Sequence, residues 1–195
     1  MANRNTSGFG LISAGTVGST PATQGQGKYY IDAGATVDLF QGTAVKSSAG
    51  YIITAQAAIT NTCIGVFNGI FYNAATTLKP TWANWYNQPI TPANSEDVTC
   101  FVIDNPTQLF VVSLDTAAAQ AIYGMTMGLT VTAAGSETSG QSSSTLTYAT
   151  RHATNNQWRL VRTAEDPENN QNATFRSVVV AHNLNQYFTG AVTWA

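Results

Sequence analysis

Charge is what this 195-residue sequence has least of: Asp, Glu, Lys and Arg together make up 9% of it, against about a quarter of an ordinary soluble domain. The 8 basic and 10 acidic residues are spread along the chain and leave a net charge of −2. Nothing resembles the basic patch that neutralises phosphates, so no direct nucleic-acid contact is expected. Cysteine is equally scarce. Cys63 and Cys100 both lie in apolar runs, CIGVF and CFVI, which fits buried free thiols better than a disulfide. With only His152 and His182 beside them, no metal-ligand spacing exists, and neither metal nor cofactor is expected. No apolar run approaches the ~20 residues of a membrane span, and MANRNTS at the start precedes no apolar core of secretory length. A soluble chain without membrane contact is the expectation.

What the sequence does have is Thr, Ser, Asn and Gln on a chain that is 44% hydrophobic. Such a surface is solvated without carrying a field, which suits close packing of many copies. A length of 195 residues allows one substantial core. The stretch Val98 to Leu114 sets the fold class: Cys100-Phe101-Val102-Ile103 and Leu109-Phe110-Val111-Val112 flank the turn-forming Asp104-Asn105-Pro106-Thr107. Both runs are short and rich in β-branched and aromatic residues, and the tetrad favours a turn, so a central β-hairpin is predicted.

Before it, strands are predicted at Lys28–Ile31, Val37–Phe40, Thr43–Lys46, Tyr51–Thr54 and Cys63–Tyr72, the last bulged at Gly65 and Gly69. Asn73 to Ser95 holds Pro80, Pro89 and Pro92 and the cluster Trp82, Trp85, Tyr86; three prolines point to a long loop whose aromatics pin it to its own domain or to a partner. After the hairpin, Asp115 or Thr116 caps a short helix, Ala117 to Tyr123, stopped by Gly124. Further strands are expected over Met125–Thr132, Thr145–Thr150, Trp158–Thr163, Phe175–Ala181 and Tyr187–Trp194, with Gly135–Ser144 a flexible tip. Residues 1–27 are Gly/Ser/Thr-rich and separate from the β domain at 28–195. Two readings fit: a frayed terminus, or an extended arm whose Phe9, Leu11 and Ile12 order on a neighbouring subunit.

Candidate chemistry is thin. His152 and His182 sit in polar or strand-end settings, and a Ser–His–Asp assignment needs geometry the sequence does not supply. Glu165, Asp166 and Glu168 share one loop, but their spacing matches no EF-hand and fits a solvated turn. Carboxylates for glycoside hydrolysis would have to come from Asp32, Asp38, Asp104 and Asp115, most of which suit turns or caps. No Gly-rich phosphate loop is present. The chain is not expected to be an enzyme.

Several short motifs occur in a telling order: Phe9-Gly10-Leu11-Ile12, Tyr29-Tyr30-Ile31, Gly42-Thr43-Ala44-Val45, Ile64 to Gly69, Asp104-Asn105-Pro106 leading to Phe110, and Val178-Val179-Val180 with Asn183-Leu184. This order resembles the capsid decoration (cement) proteins of tailed bacteriophages. The resemblance implies an all-β, compact β-barrel or tulip-like domain with an extended N-terminal arm and at most one short helix. It implies a homotrimer on the outer surface of the virion, bridging capsomers of the major capsid protein against internal pressure, after assembly in the host cytoplasm. Phe9, Leu11, Ile12, Trp82, Trp85 and Tyr86 are the candidate capsid or subunit contacts. The competing class is a carbohydrate-binding β-module on a virion or cell surface, with Trp82, Trp85 and Tyr86 as stacking platforms.

Overall fold

In a computed structural model the chain is all-β, as its apolar patterning predicts. Residues 7–18, 25–55, 62–130, 135–170 and 172–188 are described. In chain order they form β1 (Ile12–Thr16), β2 (Gly27–Ile31), β3 (Ala44–Ser48), β4 (Tyr51–Thr54), β5 (Gly65–Asn73), β6 (Pro80–Ala83), β7 (Val98–Ile103), β8 (Gln108–Ser113), β9 (Thr126–Thr130), β10 (Gly135–Ser136), β11 (Gln141–Ser142), β12 (Thr145–His152), β13 (Trp158–Thr163) and β14 (Ser177–His182). One sheet runs β1-β8-β14-β13-β9-β12, a second runs β2-β7-β5-β3-β4 with β6 also on β5, and β10–β11 is a small ribbon. Every ladder between these strands is antiparallel. Among the described residues no barrel closes. The second sheet comes nearest, for its end strands β2 and β4 run close together without a ladder between them.

The predicted central hairpin is corrected. β7 lies between β2 and β5, and β8 lies between β1 and β14, so Asp104–Thr107 carries the chain from one sheet to the other. The turn itself forms as expected: the Gln108 N–H donates to the Asn105 carbonyl at 3.0 Å, and Asn105 Oδ1 accepts from the Thr107 N–H at 3.0 Å. Tight hairpins need positive φ at the turn, which Asn-Gly or Asp-Gly supplies. The connection here is four residues long with Pro106 at the second position of its turn, which a hairpin tolerates, so the strands part because their partners lie in different sheets. The contrast is the β3–β4 hairpin, where Ala49 at φ +49° and Gly50 at φ +87° make the turn that keeps both strands in one sheet.

Separate sheets mean separate cores. Val98, Cys100 and Val102 of β7 point with Ile31, Leu39, Ile52, Phe67, Ile70 and Tyr86 into the curl of the second sheet. Phe110 and Val112 of β8 join Leu114, Met127, Leu129, Trp158, Leu160, Val178 and Val180 under the first sheet, with Ala44 and Val66 of the second sheet completing the contact. Alternation along β7 and β8 follows the two-residue period of a strand with one face inward.

Other expectations change in detail. Pro80 opens β6 inside the expected long loop, at the start of a strand where its missing N–H costs no ladder bond. β5 keeps β7 on one side and trades β3 for β6 on the other. Its register slips between Phe67 and Gly69 as foreseen, and Gly69 has φ +141° with an added Cβ only 2.8 Å from the Ala83 carbonyl oxygen, so only glycine fits. The helix over Ala117–Tyr123 shrinks to a 3-10 turn at Gln120–Ile122 with no side-chain cap; Asp115 instead accepts from the Tyr148 N–H at 3.0 Å. Val37–Phe40 provides only a bridge from Leu39 to Tyr86, and the Gly135–Ser144 tip carries the ribbon. Of the strand expected at Tyr187–Trp194, Tyr187 and Phe188 lie in a turn and 189–194 fall outside the described residues. Among the described residues no helix is long and apolar enough to cross a membrane.

The N-terminal segment differs most from expectation. Leu11 is 3% exposed and belongs to the core under the first sheet. Its N–H donates to the Gly42 carbonyl at 2.9 Å, while β1 pairs with β8. Residues 7–18 are thus an edge strand and its lead-in, docked on their own domain.

Candidate functional site

The outer face of the second sheet carries the most conspicuous exposed group. β6 places Trp82 opposite Phe71 of β5; β7 places Phe101 opposite Gly69 and Thr99 opposite Phe71; β2 places Lys28 opposite Phe101 and Tyr30 opposite Thr99. Directly paired residues share a face, so these side chains form one solvent-facing strip. Trp82 is 67% exposed. Its ring stacks on Phe101, centroids 5.0 Å apart and planes 17° apart, and tilts against Phe71 at 5.0 Å. Lys28 Nζ lies 5.4 Å from the Tyr30 ring centroid. The strip is therefore apolar, rigid, and charged only at its edge.

The remaining candidate contacts go elsewhere. Trp85 is half-buried, stacked parallel to Phe40 with centroids 5.2 Å apart. Tyr86 is wholly buried, and its hydroxyl donates to the Ala35 carbonyl at 3.3 Å. Trp82, Trp85 and Tyr86 thus form no common platform. At the N-terminal segment Phe9 is half-buried, Leu11 is in the core and Ile12 is exposed on the edge strand. Only Trp82 and Ile12 of the six present substantial free apolar surface.

Sequence reasoning missed two polar clusters. His182 was expected at a surface or strand end; it does end β14, but its ring is enclosed, 4.5 Å from the Trp158 ring and 5.5 Å from the Phe110 ring. Cys63 Sγ lies 3.5 Å from His182 Nδ1. Such a pair serves as a nucleophile only when the thiol proton passes to the imidazole. Burial pushes the Cys63 thiol up to about 12 and the His182 imidazole down to about 4, so both stay neutral. His182 Nε2 has no hydrogen-bond partner among the described residues, so no carboxylate orients the ring. The signal in the sequence was the run Val178-Val179-Val180 leading into the histidine. The second cluster locks the sheet crossing: Tyr29 donates to Asp104 Oδ2 at 2.6 Å and its hydroxyl meets that of Tyr187. Burial, then the Asp104 carboxylate, raise the Tyr29 phenol well above its ordinary value.

The acidic loop behaves as a solvated turn, with Arg162 and Glu165 paired at 3.1 Å and Asp166 Oδ1 accepting from the Glu168 N–H at 2.9 Å. Among the described residues no three His, Cys, Asp or Glu side chains gather to hold a metal ion. Both cysteines are free and buried, and burial pushes Cys100 up to about 12 as well. Neither thiol is expected to react with a soluble thiol reagent until the protein unfolds. Stoichiometric labelling of native protein within minutes would contradict this burial.

No family model, curated protein or solved structure matches the chain.

Proposed function

We propose that this chain is a non-enzymatic structural protein of a bacteriophage virion, decorating the outer surface of the expanded capsid as a homotrimer and bridging neighbouring capsomers of the major capsid protein. The observation that carries the reading is the Trp82 strip: a large ring two-thirds exposed, held flat on Phe101, on a sheet face with little charge. A rigid exposed Trp among aromatics is what a protein interface uses as its anchor, since little side-chain entropy is lost on contact. A chain with only 9% charged residues also brings little repulsion between copies crowded on a lattice. The order of short motifs that resembles the decoration proteins supports the same reading.

Purified protein added to expanded shells lacking it is expected to co-sediment with them. Trp82→Ala should weaken that binding at least tenfold, about 1.4 kcal/mol, while the folded protein loses only the ring's stacking on Phe101 and Phe71, about 0.5–1.5 kcal/mol. Failure of the native protein to sediment with shells, or equal binding by Trp82→Ala, overturns the assignment. The free chain's oligomeric state is read from sedimentation equilibrium, where a monomer at all concentrations would limit trimer formation to the shell surface.

A further inference from the structure

Beside the edge strand β1, facing the bulged middle of β5, two adjoining cavities of about 280 and 240 Å³ share Ser13, Asn68 and Ile103. Among the described residues no charged side chain lines either one. Carboxamides do: Gln26, Gln41, Asn68, Gln108 and Gln141, brought together from distant parts of the chain. Phe9, Ile12 and Ile103 supply apolar walls.

The amides are held in place. Gln41 Nε2 donates to Asn68 Oδ1 at 2.9 Å, which leaves the Gln41 carbonyl oxygen and the Asn68 amide hydrogens as adjacent acceptor and donor. Gln108 is only 3% exposed, and its Nε2 is fixed by Ser13 Oγ at 2.7 Å, the Gly15 carbonyl at 2.6 Å and the Leu109 carbonyl at 3.1 Å. Among the described residues nothing donates to Gln108 Oε1. With its amide nitrogen fixed, Gln108 presents that oxygen to the cavity as an oriented acceptor for an O–H or N–H donor.

We propose that this groove binds a short neutral saccharide. Each sugar hydroxyl both donates and accepts, and vicinal hydroxyls match a neighbouring acceptor and donor such as those of Gln41 and Asn68. The C–H face of a sugar ring suits the Phe9 and isoleucine walls. An ionic ligand would enter a lining that offers no counter-charge, at a desolvation cost nothing offsets. An uncharged peptide would pair with the free edge of β1 at ~3.3 Å per residue; the five side-chain amides around two lobes instead match a compact ligand with closely spaced hydroxyls. The groove shares no residue with the Trp82 strip, so the two can be tested separately.

Saturation-transfer NMR of the native protein with neutral hexose and N-acetylhexosamine di- and trisaccharides tests it. At least one should show transfer, and Gln41→Ala and Asn68→Ala should each weaken it tenfold or more, with thermal midpoints recorded to confirm folding. Gln41, which lies outside every strand, is the variant least able to disturb the sheet. Trp82→Ala should leave saccharide binding intact while shell binding falls. Absence of transfer from every neutral saccharide overturns the proposal, as does binding that survives both amide variants or vanishes with Trp82→Ala. Transfer from an uncharged Ser/Thr/Gln peptide alone would overturn it in favour of a peptide groove.

Discussion

Leu11→Ala is expected to cost the free protein about 2–5 kcal/mol, the usual range for deleting a buried leucine side chain. Removing residues 1–18 should cost more and leave a chain that struggles to fold. Three losses combine in the deletion. The Leu11 side chain leaves the core under the first sheet. The β1–β8 ladder disappears. Gln108 loses the Ser13 and Gly15 oxygens and keeps only the Leu109 carbonyl on its amide nitrogen. Urea unfolding followed by tryptophan fluorescence measures the effect, with Ile12→Ala as a comparison expected within about 0.5 kcal/mol of the native protein because that side chain is largely exposed. An unchanged midpoint for Leu11→Ala would mean that the segment detaches freely and docks on something else.

Acid should weaken the fold through His182. Burial holds its imidazole down at about 4, against about 6.5 in an unfolded chain. The unfolded state therefore takes up the proton first as pH falls. The contribution of the neutral, buried ring is complete above about pH 6.5 and is lost progressively down to about pH 4, by then amounting to about 3 kcal/mol. Denaturant unfolding at pH 7.5, 5.5 and 4.0 should show that decline in the native protein. His182→Phe, which keeps a ring beside Trp158 and Phe110, should decline less over the same interval by a similar amount. Carboxylates titrate alike in both proteins, so parallel curves would remove His182 as the cause.

Strand positions were largely legible because each needs only its own residues: the apolar run at Cys100–Ile103, the strand at Tyr51–Thr54, the bulge at Gly69. Pairing was not, since it depends on residues elsewhere. Two apolar strands about a short turn look identical in sequence whether they pair or part, and the Asp104–Thr107 connection suits either outcome. β6 was hidden by its own Pro80, tolerated because it opens the strand. The docking of Leu11 was hidden by Gly and Ser neighbours, small residues that let the segment lie close against Gly42 and Ser143. Of the candidate contacts, Trp82 emerged as an exposed ring while Tyr86, four residues on, turned fully inward. The amide groove had no signature at all, because its five carboxamides converge only once both sheets exist.

Strand order in the first sheet also dictates when that sheet can exist. The second sheet has all its strands once Ile103 has been made. The first cannot join β1-β8 to β13-β9-β12 until β14 arrives, because β14 pairs with β8 on one side and β13 on the other. β14 is the last of the described strands. On the ribosome, Phe110, Val112 and Trp158 must therefore wait in water or in transient company while the curled sheet is already built. Completion of the first sheet thus waits for contacts between segments far apart in sequence, whereas β1 can seat on β8 as soon as β8 is available.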